Sequence, residues 1–513
     1  MASRLPTLDA GFNPRVFYGA IILILGLLGF ALANLARAEE IFETIQRVAT
    51  LNFGWLLGLT ANLMLVGCLY MALTRLGDIR LGGAKAKPEF STTAWFAMLF
   101  SAGMGIGLMF YGVAEPVMHF ANPPLTHFSN PASEQPMAVA GNAQHAMGLT
   151  YLHWGLHVWA IYAMIALALA YVAFNRGKAL SIGAFLHQVW PGLPRIVVDL
   201  VDILAIVATV CGVATSLGLG ASQINAGLTN LFGTGDTFVA KLLIIALVTG
   251  LATLSVGLGL AKGIKRLSEI NMGLAVLLAL FIFVAGPTVF LLDSFIQNLG
   301  YYLQRFVYLS TWTESYTGAQ WQLDWTIFFY AWWISWSPFV GIFIARISYG
   351  RTVREFILGT LLAPTLFTFA WMTIFGDSAL HIELFGDGGI GEAVAASLPD
   401  ALFAFFDHFP LTAILSGLAI IIVATFFVTS ADSGALVVAM IASGGDHEAG
   451  FMPRVTWAAT MGVLAAGLLF AGGLGALQTA AIITGLPFAL VLLAMSWGTL
   501  KILRRDANRS TDV

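Results

Sequence analysis

Apolar runs of about 18 residues or more, each long enough for a spanning helix, recur along this chain from one end to the other. Twelve are readable, near 16–36, 52–74, 91–113, 145–173, 199–222, 238–260, 270–292, 325–346, 355–376, 410–440, 455–472 and 476–499. A helix satisfies its own backbone polar groups in hydrocarbon, so the repetition points to an all-α integral membrane protein with twelve transmembrane helices. Composition agrees. Mean hydropathy is +0.85 and only 10% of residues are charged, against roughly 25% in soluble domains.

The distribution of charge orients the chain. If the N-terminus is cytoplasmic, the segments on that side hold all 24 Lys and Arg except Arg37, Arg47, Lys241 and Arg305. Asp377, Glu383, Asp387, Glu392, Asp400 and Asp407 crowd the other side in a long stretch without Lys or Arg. Such a bias sets orientation, and both termini are expected in the cytoplasm. The first run carries a small-residue site at Ala31-Leu32-Ala33, but it is too long for the apolar region of a signal peptide and reads as a retained span. Cys68 and Cys211 lie in apolar runs, which indicates neither a disulfide framework nor a thiolate metal site. No basic tract suggests nucleic acid. The polar segments at the two ends are short, so no soluble catalytic or regulatory domain is expected.

Two runs contain helix breakers. The third holds Gly103-Met104-Gly105-Ile106-Gly107 and the eighth holds Pro338 and Gly341. Five spans apart, they have opposite orientations, and interrupted helices at corresponding places in two inverted halves point to a substrate and ion site near the midplane. Alternating glycines let the backbone approach a ligand; close helix packing is the competing reading. The spacing is not G-x-G-x-x-G and no strand precedes it, so a dinucleotide site is excluded.

The eighth run reads W-T-I-F-F-Y-A-W-W-I-S-W-S-P-F over 325–339. At 100° per residue Trp325, Phe328, Phe329, Trp332 and Trp336 share one helix face, with Trp333 at its edge. Trp325 suits an interfacial aromatic belt. The other three indoles lie deeper, where they suit either helix packing or an aromatic box for a quaternary ammonium group, at about 0.5–2 kcal/mol per close ring. The fourth run adds Trp154, Trp159 and Tyr162 in H-W-G-L-H-V-W-A-I-Y; Trp159 and Tyr162 share a face and Trp154 is offset. His153 and His157 have the i,i+4 spacing of a metal pair, yet no Glu lies between them and no third ligand is expected nearby, so a hydrolase is not indicated and packing or a place at a pore rim is the expected role. The tenth run carries T-F-F-V-T-S-A-D-S over 425–433. Hydroxyls and a carboxylate in hydrocarbon mark an ion or substrate path, and Thr429 and Ser430 are the oxygen type that sodium wants. The alternative is that they bond back to their own helix. Thr209 and Ser216 in the fifth run invite both readings.

Taken together, G-M-G-I-G-L-M-F-Y-G at 103–112, the aromatic segment at 325–339 and T-F-F-V-T-S-A-D-S at 425–433 resemble the betaine/choline/carnitine transporter family. R-L-G-D-I-R-L-G at 75–82 and K-P-E-F-S at 87–91 agree. The likeness covers nearly the whole chain and is closest to the sodium-coupled glycine betaine importers. It implies a leucine-transporter-like 5+5 inverted repeat, with helices 3–7 (91–295) and 8–12 (324–500) as the halves and helices 1–2 (1–90) peripheral. It also implies alternating access, a homotrimer in lipid and residence in the bacterial cytoplasmic membrane.

By matching position, the resemblance implies a box of Trp154, Trp159, Tyr162 and Trp333. Trp332, Trp336 and Phe328 would line the route, the Met104 and Gly105 backbone would meet the substrate carboxylate, and Ser216 stands beside them as a substrate-site candidate. One sodium site would use the Ser101 and Met104 backbone, the Phe426 carbonyl and the Thr429 and Ser430 hydroxyls. A second would lie near Thr209 and Phe339. Three departures bear on this. Val213 replaces a second threonine near Thr209, Tyr330 replaces a Trp, and the short K-I-L-R-R-D-A-N-R-S-T-D-V terminus lacks the charged tail of osmotically activated members. Gly107 stands where proton-coupled choline carriers of the family tend to have Asp, which favours a zwitterion bringing its own carboxylate. The expected function is sodium-coupled import of a methylated zwitterion, glycine betaine first. A sodium-independent exchanger, a choline, carnitine or dimethylsulfoniopropionate carrier, and a passive cation channel are the alternatives. Beyond the coupling ion no cofactor is expected, and no nucleophile–base set indicates an enzyme.

Overall fold

The computed structural model describes residues 12–103, 105–124, 136–257, 261–318, 320–445 and 450–511. Among them the secondary structure is helical throughout, and the sole β pairing is an isolated bridge between Arg80 and Thr352. In chain order the helices are α1 (Pro14–Ala33), α2 (Ala38–Leu73), α3 (Thr92–Gly103), α4 (Ile106–Ala121), α5 (Pro136–Trp154), α6 (Leu156–Arg176), α7 (Ile182–Val189), α8 (Arg195–Phe232), α9 (Phe238–Gly257) and α10 (Ala261–Ala285). They continue as α11 (Thr288–Thr311), α12 (Trp321–Asp324), α13 (Thr326–Arg346), α14 (Val353–Met372), a π-helical turn at Thr373–Asp377, α15 (Ser378–Phe385), α16 (Ile390–Ala396), α17 (Ala401–Phe406), α18 (Thr412–Ala442) and α19 (Phe451–Thr511).

Among the described residues, ten helical runs are long and apolar enough to cross a bilayer. The α3–α4 pair supplies an interrupted eleventh. The twelfth arises because α19 is two helices in one, bent where Gly472 and Gly473 leave helical geometry. Gly473 sits at φ +60°, a conformation that favours glycine. The seventh run stops earlier than its hydropathy suggests, at Ala285, because Gly286-Pro287 cannot continue the helix. The acidic stretch between the ninth and tenth runs folds into α15, α16 and α17, all packed on α4.

Burial separates a centre from a periphery. Nine-tenths of the apolar stretch is buried in α13 (89%) and equally in the α5–α6 run, against 22% in α1 and 22% in α9. Exposed Ile22, Leu23 and Leu25 on α1, Leu243 and Leu247 on α9, and Leu277 and Leu280 on α10 give the outer helices apolar faces of the kind hydrocarbon covers. Inside that ring α13 packs on α6, α8 and α19, and α8 packs on α18 and α19.

The two expected helix breaks fare differently. The third span does break, α3 ending at Gly103 and α4 starting at Ile106 with an extended Gly105 as its N-cap. The eighth does not: α13 runs unbroken from Thr326 to Arg346 with Pro338 inside it. Pro338 has no N–H for the Ile334 carbonyl, but the Ser337 hydroxyl donates to that carbonyl at 2.7 Å and replaces the missing bond. Gly341 serves packing instead. A Cβ there would lie 2.2 Å from Ile165 Cγ2 and 3.4 Å from the Ala166 backbone nitrogen, so the glycine lets α13 approach α6 closely. A break unforeseen in the sequence occurs in the fourth span, where Gly155 separates α5 from α6. No side chain fits at this position: a Cβ would lie 2.4 Å from the Tyr151 carbonyl oxygen and 2.9 Å from the Phe369 ring.

Candidate functional site

The break at Gly155 decides where Trp154 points. In a continuous helix Trp154 and Trp159 would sit about 140° apart and face different neighbours. With the phase reset, both line one cavity together with Tyr162, Trp332, Trp333 and Trp336. Gly105, Ile106, Gly107 and Leu108 at the start of α4 close one wall; Val158, Ser216 and Thr368 complete the lining. The sequence alone nominated Trp154, Trp159, Tyr162, Trp332, Trp333, Trp336, Gly105 and Ser216. It did not nominate Thr368, a hydroxyl within an apolar run whose spacing gives no signal until α14 is placed.

The rings are held by their edges. Trp332 donates its indole N–H to the Gly212 carbonyl at 3.2 Å and Trp333 donates to the His153 carbonyl at 2.9 Å. Trp154 donates to Glu115 Oε2 at 2.6 Å. Satisfying a buried N–H with a fixed acceptor removes the cost of an orphaned donor and locks the ring plane. Trp332 stacks on Trp333 at 4.7 Å and 17°, Trp154 meets Trp333 edge to face at 4.9 Å and 68°, and Trp159 meets Tyr162 at 5.7 Å and 85°. Glycines make room for this. A Cβ on Gly107 would lie 2.8 Å from Trp154 and 3.1 Å from Trp332, and one on Gly212 would lie 2.7 Å from Trp336.

Phe328, expected along the route, is not among the residues that line this cavity. It is fully buried and stacks behind Trp332 at 5.6 Å and 16°, where it buttresses the ring and does not line the cavity. The reason is its position one turn before Trp332 on a continuous helix, which puts it under that indole.

The histidine pair is also rearranged. Residues 153 and 157 fall on opposite sides of the Gly155 break. His157 packs on Phe306 at 5.4 Å and meets Asn62 Oδ1 at 3.3 Å, a packing role. His153 has carboxylate and imidazole neighbours after all: α4 brings Glu115 Oε1 to 2.6 Å from Nδ1, and His119 Nε2 lies 3.4 Å from the same oxygen. His153 Nε2 pairs with Thr326 Oγ1 at 2.9 Å. Glu115 and His119 were missed: they lie just past the end of the third apolar run, a Glu and a His four apart on its continuation.

The hydroxyl set looks different. Thr429 Oγ1 donates to its own helix, to the Thr425 carbonyl at 3.0 Å and the Phe426 carbonyl at 3.2 Å. Ser430 is half-buried on the same helix. Ser101 lies in the last turn of α3, its side chain outside the described residues, as is Met104 altogether. Thr209 is fully buried and its hydroxyl has no hydrogen-bond partner among the described residues. Phe339 meets Trp336 edge to face at 5.4 Å. Val213 turns toward α18, where a Cβ on Gly434 would touch it at 3.4 Å. Ser216 bonds weakly back to the Gly212 carbonyl at 3.4 Å and still lines the cavity.

A bundle of membrane-crossing helices around a buried aromatic cavity, beside a helix break, is the architecture of a membrane transporter. The family model for BCCT, the betaine/carnitine/choline family transporters, matches residues 15–508, and the chain belongs to that family. It is 42% identical over 512 residues to a glycine betaine transporter of Acinetobacter baylyi, covering 99% of this chain and 76% of that protein. It is 44% identical to the glycine betaine transporter OpuD of Bacillus subtilis, covering 89% and 88%. With an ectoine/hydroxyectoine transporter of Virgibacillus pantothenticus it shares 38% identity over 97% and 98% of the two chains. The protein is a transporter and not an enzyme.

Proposed function

We propose that the protein imports a methylated zwitterion, glycine betaine first, by sodium-coupled alternating access. The observation that carries this is the convergence of Trp154, Trp159, Tyr162, Trp332, Trp333 and Trp336 on one cavity whose wall is the broken start of α4. Indole faces attract a desolvated quaternary ammonium group by about 2 kcal/mol each at best. The first turn of α4 has no side-chain cap, so its free N–H groups and the positive end of its dipole suit a carboxylate. A trimethylammonium head and a carboxylate tail therefore meet complementary walls. The relatives named glycine betaine transporters support the same substrate. The ectoine relative keeps cyclic zwitterions as the second candidate.

Sodium would be held between α18 and the end of α3, by the Thr429 and Ser430 hydroxyls, the Phe426 carbonyl and the backbone of Ser101 and Met104. Thr429 would have to turn its lone pairs to the ion while its proton stays on the helix carbonyl, and a hydroxyl can do both. The buried hydroxyl of Thr209, without a hydrogen-bond partner among the described residues, would serve a second ion, with one oxygen fewer because of Val213. Ion and substrate would stabilise the same α3–α4 break, so each would raise the other's affinity. Both termini would face the cytoplasm of a bacterial inner membrane, and the apolar outer faces would be shared between lipid and the neighbours of a trimer.

The test is uptake of labelled glycine betaine into proteoliposomes under an inward sodium gradient, with potassium alone as control. Saturable accumulation that needs sodium is expected. Exchange indifferent to sodium would move the protein to the antiporters, and flux without saturation would make it a channel.

A further inference from the structure

We propose that Glu115 electronically tunes the cavity: its carboxylate polarises the Trp154 indole and thereby strengthens that ring's attraction for a cation. This rests on the reading of the cavity as a quaternary-ammonium site. Glu115 is fully buried on α4, where a carboxylate is costly unless it is used. Its two oxygens are divided. Oε2 accepts the Trp154 N–H at 2.6 Å, while Oε1 faces His153 Nδ1 at 2.6 Å and His119 Nε2 at 3.4 Å.

An N–H held this close to a carboxylate is charge-assisted. Drawing the indole proton toward an anion pushes electron density onto the ring and deepens the negative face that a cation senses. His153 keeps the carboxylate in place, and His119 stands 3.4 Å from the same oxygen. With Nδ1–H directed at Glu115, His153 Nε2 can accept the Thr326 hydroxyl. The His119 ring is wedged edge-on between Trp321 and Trp325 at 4.9 and 4.5 Å. Its nitrogens have no hydrogen-bond partner among the described residues, so Glu115 is the polar group it turns to.

A metal ion is the other way to hold a Glu and two His. Two ligand atoms on one tetrahedral ion with bonds of about 2.0–2.1 Å sit roughly 3.3 Å apart. The 2.6 Å between Glu115 and His153 is the separation of atoms sharing a proton. His153 also presents its backbone carbonyl to Trp333, so one residue braces two walls of the cavity.

The experiment compares glycine betaine with 3,3-dimethylbutyrate, which keeps the shape and the carboxylate and replaces the ammonium nitrogen with carbon. Equilibrium binding of each is measured on purified wild type, Glu115→Gln and Glu115→Asp. The amide of Gln can still accept the indole N–H, so position is kept and charge is lost. Glu115→Gln is expected to weaken betaine about tenfold and dimethylbutyrate less than twofold. Glu115→Asp, which keeps the charge, is expected to hold the betaine preference within threefold of wild type. Equal weakening of both ligands in Glu115→Gln, or an unchanged ratio, would overturn the proposal and leave Glu115 a purely structural clamp. If Glu115→Gln does not fold, loss of the preference in Glu115→Asp would overturn it just as directly. Should wild type itself bind the two ligands alike, the quaternary-ammonium reading of the cavity fails instead.

Discussion

The aromatic cavity and the hydroxyl-bearing stretch of α18 are both built from residues that a sequence shows plainly, yet the fold treats them in opposite ways. In the cavity the polar edges of Trp154, Trp332 and Trp333 are tied off to fixed acceptors, so the rings stand in place before any ligand arrives. On α18 the Thr429 hydroxyl is bonded to its own helix and its candidate partners come from the end of α3. A preorganised site spends little ordering entropy on binding. A site whose ligands come from two elements spends more, and for that reason it can report whether the elements have come together. On the proposed function, selectivity would belong to the rings and coupling to the hydroxyls of α18.

The sharpest way to break that division is Trp333→Ala, which removes a cavity wall and the bond to the His153 carbonyl together. Loss of about 2 kcal/mol is expected, roughly a thirtyfold rise in the betaine Kd, with the sodium dependence of what binding remains unchanged. Gly107→Asp comes next. Its Cβ would press on Trp154 and Trp332, and overpacking of 1–3 kcal/mol makes a tenfold loss of betaine affinity the expected size. Uptake assays with both betaine and choline would show whether the added charge compensates for a cation. Thr429→Ala tests the other side. It should raise the sodium concentration for half-maximal uptake about fivefold, a loss near 1 kcal/mol, while betaine affinity at saturating sodium stays within twofold. Pro338→Ala should do least, because α13 is already continuous and Ser337 already serves the freed carbonyl. Uptake within twofold of wild type is expected, whereas a functional break at Pro338 would make this variant inactive.

Much of the fold was legible because hydropathy is written residue by residue. The break after Gly103 was legible as well, since alternating glycines free the backbone to leave helical geometry. The break at Gly155 was not. One glycine in a strongly apolar run is ordinary, and its hint lay only in Trp154 falling off the face shared by Trp159 and Tyr162. The expected break at Pro338 and Gly341 failed for the converse reason: a hydroxyl one residue away repaired the lost bond, and the glycine was needed by α6. The aromatic side chains that line the cavity could be nominated by type and spacing. Phe328 shares the helix face of its neighbours, and only packing shows that it stands behind Trp332. Glu115 and His119 became meaningful once α4 met α5, which no periodicity reveals.

The measurement closest to the central claim is a titration of purified protein with glycine betaine, followed by intrinsic tryptophan fluorescence, in sodium and then in potassium at equal ionic strength. The expected result is a saturable change in both, with a Kd about tenfold lower in sodium, the size typical of coupling between two sites. Superimposable curves in the two salts would contradict sodium coupling, and no saturable change in either would contradict the aromatic cavity as the betaine site.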